Sequence, residues 1–240
     1  MTHPMTHALA AAAVFVILAG SAAAEPAFEG RKKCSSCHKS QADSWGETAH
    51  AKAIDSLKPT TKTKTRAEAM RKAKLDPKKD YTKDKDCIGC HVDGFGKEGG
   101  YEVQDPDKFL TGVGCESCHG PGTDYRKIHR KAGEAFEKSK AVTPRQSLVD
   151  AGEDFEFAER CNACHLNYEG SPWKGAKKPY TPFTPKVDKK YAFDFEKSVR
   201  NNKAIHEYFK LEGTFTGPPV FKFHDEFQSK AKPAVVGKDE

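Results

Sequence analysis

Every cysteine in this chain lies inside one repeated pentapeptide, Cys-x-x-Cys-His, which occurs four times: at Cys34 to His38, Cys87 to His91, Cys115 to His119 and Cys161 to His165. Two thiols spaced by two residues can add to the two vinyl groups of one porphyrin, and the histidine beside the second thiol is placed to ligate the iron. The pattern predicts four covalently bound heme c groups, attached through Cys34, Cys37, Cys87, Cys90, Cys115, Cys118, Cys161 and Cys164. His38, His91, His119 and His165 are the expected proximal iron ligands. A thioredoxin-like redox pair needs a βαβ context, a zinc ribbon uses its cysteine pairs two at a time, and a disulfide framework leaves the fixed spacing as coincidence. None of the three explains the four histidines, whose placement by chance has a probability on the order of a few in a million at this composition.

The start of the chain points to export. Ala8 to Gly20 form an apolar run of signal-peptide length, followed by the small-residue patch Ser21 to Ala24, so cleavage is expected after Ala23 or Ala24. Met1 to His7 carries no Lys or Arg, which departs from the usual basic start, and the run is shorter than the ~20 apolar residues of a spanning helix. No later stretch is apolar enough to cross a membrane, so no transmembrane segment is expected after signal removal. The expected location is the periplasm, where heme attachment of this kind takes place.

Only 37% of the residues are hydrophobic and 31% are charged. Removing 24 residues leaves 216, or 54 per heme, too few for each site to have its own core. If each porphyrin buries ~400 Å² of apolar surface at ~25 cal/mol per Å², the gain is on the order of 10 kcal/mol per cofactor. The hemes are therefore expected to form the core of one domain, residues 25–240.

Spacing sets further limits. The 23 residues between His91 and Cys115 include six glycines, which predicts a mostly loop connection and close second and third sites. Thr65 to Glu68 has capping-box spacing ahead of Met70 to Leu75, and Asp188 is placed to cap a long helix through Tyr191, Phe195, Val199, Ile205 and Phe209. The Pro-rich run Pro179 to Pro185 reads as an extended loop. The fold class expected is mainly α, a single multiheme cytochrome c domain with little strand. Candidates for the second axial position on each iron are His50, His129, His206, His224 and Met70.

Several runs resemble the tetraheme cytochromes c-554 of ammonia-oxidising bacteria. They are FEGRKKCSSCH from Phe28, DKDCIGCHVDGFG from Asp84, LTGVGCESCHGPG from Leu110, RCNACHLNYEGSPWKGAKKPYTPFTP from Arg160 and FKFHDEF from Phe221. In that family three hemes are bis-histidine and the second is five-coordinate. The resemblance implies His129 opposite His38 on heme one, His50 opposite His119 on heme three, and His206 opposite His165 on heme four. It implies that His91 binds the second iron alone, that Thr181, Pro182 and Phe183 lie over its open face, and that His224 is not a ligand. It further implies an electron carrier for ammonia oxidation. Hydroxylamine oxidoreductase is the implied donor, and a membrane-associated cytochrome and the quinone pool lie downstream. An alternative is a nitric oxide reductase or sensor using the second heme, although Thr181 to Phe183 offer one hydroxyl and no strong proton donor.

The formal charge is +6, and nucleic acid is not an expected partner of an exported heme protein. Residues 58 to 85 hold eleven basic residues against four acids, a local +7. That stretch is either a solvated face or a patch that steers an acidic redox partner.

Overall fold

The structure, a computed structural model, describes residues 25–60, 64–168, 180–235 and 237. The expected signal peptide lies outside the described residues, as does Pro179. Among the described residues the chain forms short helices and one two-stranded sheet, the mainly helical architecture expected. The helices are α1 Lys32–Ser35, α2 Lys39–Gly46, α3 Lys64–Lys72, α4 Lys85–Ile88, α5 Cys115–His119, α6 Tyr125–Ser139, α7 Gln146–Asp150, α8 Phe157–His165, α9 Phe195–Ser198 and α10 His224–Lys230. Strands β1 Thr143–Pro144 and β2 Phe215–Thr216 pair in parallel. No helix among the described residues is long and apolar enough to cross a membrane.

Among the described helices only α6, at 15 residues, reaches a length at which a helix in water begins to hold itself. The others depend on tertiary contacts and caps. Asp84, Asp188 and Asp194 each accept a backbone N–H at the start of a short element. Side-chain packing supplies two small apolar clusters. Leu57, Met70, Tyr81, Ile88, Val92, Tyr101 and Leu110 form the first, beside Cys87 and Phe183, and Val199, Phe223 and Phe227 form the second. Met70 sits in the first cluster at 4% exposure, a core position.

Two buried carboxylates tie distant segments together. Glu116, inside the third pentapeptide, accepts the N–H groups of Glu29 at 3.0 Å, Gly30 at 2.7 Å and Gly122 at 2.7 Å. Glu29 in turn makes a bidentate pair with Arg126 of α6 at 2.8 and 2.7 Å. This joins the segment before the first pentapeptide, the third pentapeptide and the start of α6. Replacing Glu116 with Ala strands three buried N–H groups, and we expect a loss of about 3 kcal/mol or more. Thermal unfolding of the holoprotein should show this as a Tm lowered by roughly 10 °C. Asp93, fully buried, accepts the Gly114 N–H at 2.9 Å and the Ser117 hydroxyl, fastening the second pentapeptide to the third.

The connection between those two pentapeptides is loop, as its glycines predict, crossed only by an isolated Val92 and Thr111 bridge. Gly94 has φ +68°, and a Cβ on Gly100 would overlap the Gly94 carbonyl, so the loop closes on itself only with glycine at both points.

Two expected boundaries differ. Helix α3 already includes Lys64, one residue ahead of the Thr65 cap. The long helix from Asp188 to Phe209 does not form. Asp188 caps only a 3₁₀ turn, Lys189–Tyr191, Ala192 is extended, Asp194 caps α9, and Asn201 accepts the Lys203 N–H. Asp and Asn side chains compete for local backbone donors and so break a helix that apolar spacing alone would permit. Ile205 and Tyr208 still reach the second apolar cluster, from irregular backbone.

Candidate heme-binding sites

Each pentapeptide occupies about one helical turn, which sets its two cysteines on one face. The first begins in α1 and ends at His38, the N-cap of α2. The second runs from α4 into a turn, the third is α5 itself, and the fourth closes α8. All eight cysteines are free of disulfides.

Non-local packing brings candidate ligands to the pentapeptide histidines. In α6, Tyr125 and Ala132 are buried, and His129, one turn from each, lies on the same side. Its ring centre lies 5.6 Å from that of His38, at an interplanar angle of 77°. His50 and His165 are likewise 5.9 Å apart at 63°. With metal–nitrogen bonds of ~2 Å, two imidazoles sharing one iron have centres roughly 6 Å apart. Both pairs fit one metal held between two rings. The second pair corrects the expectation that His50 stands opposite His119 and His206 opposite His165. Irregular backbone after α2 carries His50 to the fourth pentapeptide, and His206 lies within electrostatic reach of both His119 and His38.

The protonation states suit the same chemistry. Burial pushes His119, His129 and His165 down to about 4, and it lowers His38, His50, His91 and His206. These imidazoles are thus neutral near pH 7, the form that ligates metal. The His91 Nδ1 lies 2.8 Å from the Ala53 carbonyl and 3.1 Å from Ser56 Oγ, and the His206 Nδ1 lies 2.6 Å from the Glu207 carbonyl. A proton on Nδ1 donated to those carbonyls leaves Nε2 free for iron and fixes the ring.

Residues that the sequence did not single out line the histidines. Phe193 stacks on His165 at 4.5 Å and 11°, Phe157 is edge-on to His119, and Phe215 tilts against His129. Only aromatic identity marked them, and that is shared with core positions.

The four pentapeptides touch in a definite order. Cys34 lies within reach of Cys115, Cys90 of Cys164, and Cys118 of Cys161, and α5 of the third pentapeptide packs on α8 of the fourth. The contact order is first, third, fourth, second, with Asp93 also linking second to third.

Near the second pentapeptide, Phe183 packs on the first apolar cluster beside Cys87. A cleft of about 300 Å³ is lined by Cys164, His165, Thr181, Phe183, Tyr191 and Phe193, so Thr181 lies beside the fourth pentapeptide and only Phe183 also reaches the apolar cluster at the second. Thr181 Oγ1 accepts the Phe183 N–H at 3.2 Å, and Pro182 between them is partly buried. Tyr191, missed because the long helix was expected there, adds a phenol to this cleft. The ring pairing seen at His38 and His165 has no counterpart at His91 or His119 among the described residues, and His224, at the start of α10, has no ring contact with another histidine there.

Comparison with known proteins finds relatives of this chain. The family model for cytochrome c554 and c-prime matches residues 33–120. Cytochrome c-554 of Nitrosomonas europaea is 66% identical over 231 residues, covering 96% of this chain and 97% of the relative. The solved structure of the reduced state of cytochrome c554 from the same organism is 67% identical, with a TM-score of 0.83 over 88% of this chain and 99% of that one.

Proposed function

The chain belongs to the cytochrome c-554 family, multiheme electron carriers with covalently bound heme c, and on that footing we propose a four-heme carrier of the periplasm. It takes electrons from hydroxylamine oxidoreductase during ammonia oxidation and hands them towards a membrane-associated cytochrome and the quinone pool. The observation that carries this reading is the close packing of the pentapeptides on one another: Glu116 of the third holds Gly30 ahead of the first, Asp93 after the second holds Gly114 ahead of the third, and α5 packs on α8 of the fourth. Attachment points packed together are what a relay of several redox centres requires.

Bound heme c supplies a one-electron iron couple whose potential answers to its axial ligands, burial and nearby charge. The chain holds it through the eight cysteines and through His38, His91, His119 and His165. His129 completes the first site, His50 the fourth and His206 the third. The Glu207 carbonyl would fix the His206 ring and stacked Phe193 the His165 ring as ligands to the bound group. The apolar run Ala8 to Gly20 supports export.

Stopped-flow mixing of the oxidised holoprotein with hydroxylamine oxidoreductase turning over hydroxylamine tests the role. We expect reduction within the donor's turnover time; a protein that stays oxidised sinks the reading. A second reading, reduction or sensing of nitric oxide at the second site, draws on the lack of a histidine ring partner for His91 among the described residues. Nitric oxide turnover by the reduced protein at a rate matching donor flux would rank it first.

A further inference from the structure

Residues 58 to 85 hold +7 of formal charge, against +6 for the whole chain, so everything else sums to −1. A run kept only for solubility has no reason to hold the entire excess in one stretch. Among the described residues of this stretch most of the basic side chains are exposed. In α3 and the loop after it, Ala67, Met70 and Ala73 turn inward, while Lys64, Arg71, Lys72, Lys74, Lys78, Lys83 and Lys85 are exposed.

Some of the basic residues are used internally. Arg66 donates to the Asp55 and Lys58 carbonyls, Lys58 pairs with Asp55, Lys79 pairs with Asp84, and Lys72 reaches Asp188 at 4.0 Å. Arg71, Lys78 and Lys83 are exposed and form no ion pair among the described residues. Met70 of α3 and Tyr81 of the loop after it belong to the cluster of Leu57, Ile88 and Val92 against which Cys87 packs. The unpaired charge thus stands one shell of side chains from the second heme-attachment site.

We propose that this basic layer, α3 and the loop to Lys85, is the docking surface for an acidic face of the electron donor, bringing it to the second site. The proposal rests on the carrier reading above and adds where the partner binds. Opposite charges across such a surface raise encounter rates ten- to a thousandfold at low salt, and the gain fades once the Debye length falls below the patch size.

The test uses holoprotein carrying Arg71→Glu, Lys78→Glu and Lys83→Glu, which leave the internal pairs of Lys72 and Lys79 intact. A control carries Lys131→Glu, Lys138→Glu and Lys140→Glu, exposed on or just after α6, with the same change in net charge. A milder set, Arg71→Gln, Lys78→Gln and Lys83→Gln, guards against misfolding, and an unaltered heme spectrum confirms assembly in each. We expect the second-order rate of reduction by hydroxylamine oxidoreductase to fall at least tenfold at low ionic strength in the Glu set and by less in the Gln set. The salt dependence should flatten in both, while the control stays within twofold of the parent. Rates unchanged in the Glu and Gln sets, or a control that falls as far as the Glu set, overturn the docking surface while leaving the carrier reading intact. A parent protein that the donor does not reduce is a different outcome, which removes the carrier reading and this proposal with it.

Discussion

Polypeptide made without heme attachment will show no cooperative thermal transition and a circular dichroism spectrum dominated by unfolded chain. The described apolar clusters are small, the helices other than α6 have nine residues or fewer, and the chain is only 37% hydrophobic. Helices that short are not stable alone in water. Burial of ~400 Å² of porphyrin per site is worth on the order of 10 kcal/mol, comparable with the whole net stability of ordinary domains at ~5–15 kcal/mol. Removing even one group, through Cys115→Ser with Cys118→Ser, should therefore lower stability by most of that margin. The third site is the severest case, because Glu116 and Ser117 between those cysteines also tie the N-terminal segment, α6 and the second site together. Native-like cooperative melting of the heme-free chain would refute this dependence.

Replacing His129 or His50 with alanine is the second large effect. Electron paramagnetic resonance of the oxidised parent should show one high-spin centre in four, and the reduced protein should bind one carbon monoxide. Each single replacement should raise both numbers to two, because it removes one ring from a pair 5.6 or 5.9 Å apart. The His50 replacement must alter the fourth site, where His165 is its partner, and added imidazole should restore the low-spin signal there. His224→Ala should leave the count at one. A parent wholly low-spin, or a change on replacing His224, would place His224 on the second iron after all.

The parts of this site that could be read directly were those written in consecutive residues. A cysteine pair and the histidine beside it are one covalent unit, so attachment and proximal ligation needed no knowledge of the fold. The glycines between His91 and Cys115 marked their loop for the same reason, since a left-handed turn is a property of the residue that makes it. The helix expected after Asp188 failed because apolar spacing was weighed without the local bonds of Asp194 and Asn201, which end each turn as it forms.

Composition and spacing of the four pentapeptides determined by themselves that this protein carries heme, that it is mainly helical, and which histidine stands nearest each attachment point. Only the tertiary structure decided which second histidine meets which first, that Met70 belongs to a core, and that the contact order runs first, third, fourth, second. The division is physical. Thioether attachment is chemistry within five residues, whereas opposing two imidazoles across ~6 Å requires segments as far apart as His50 and His165 to be carried together by packing, and no local pattern records that distance.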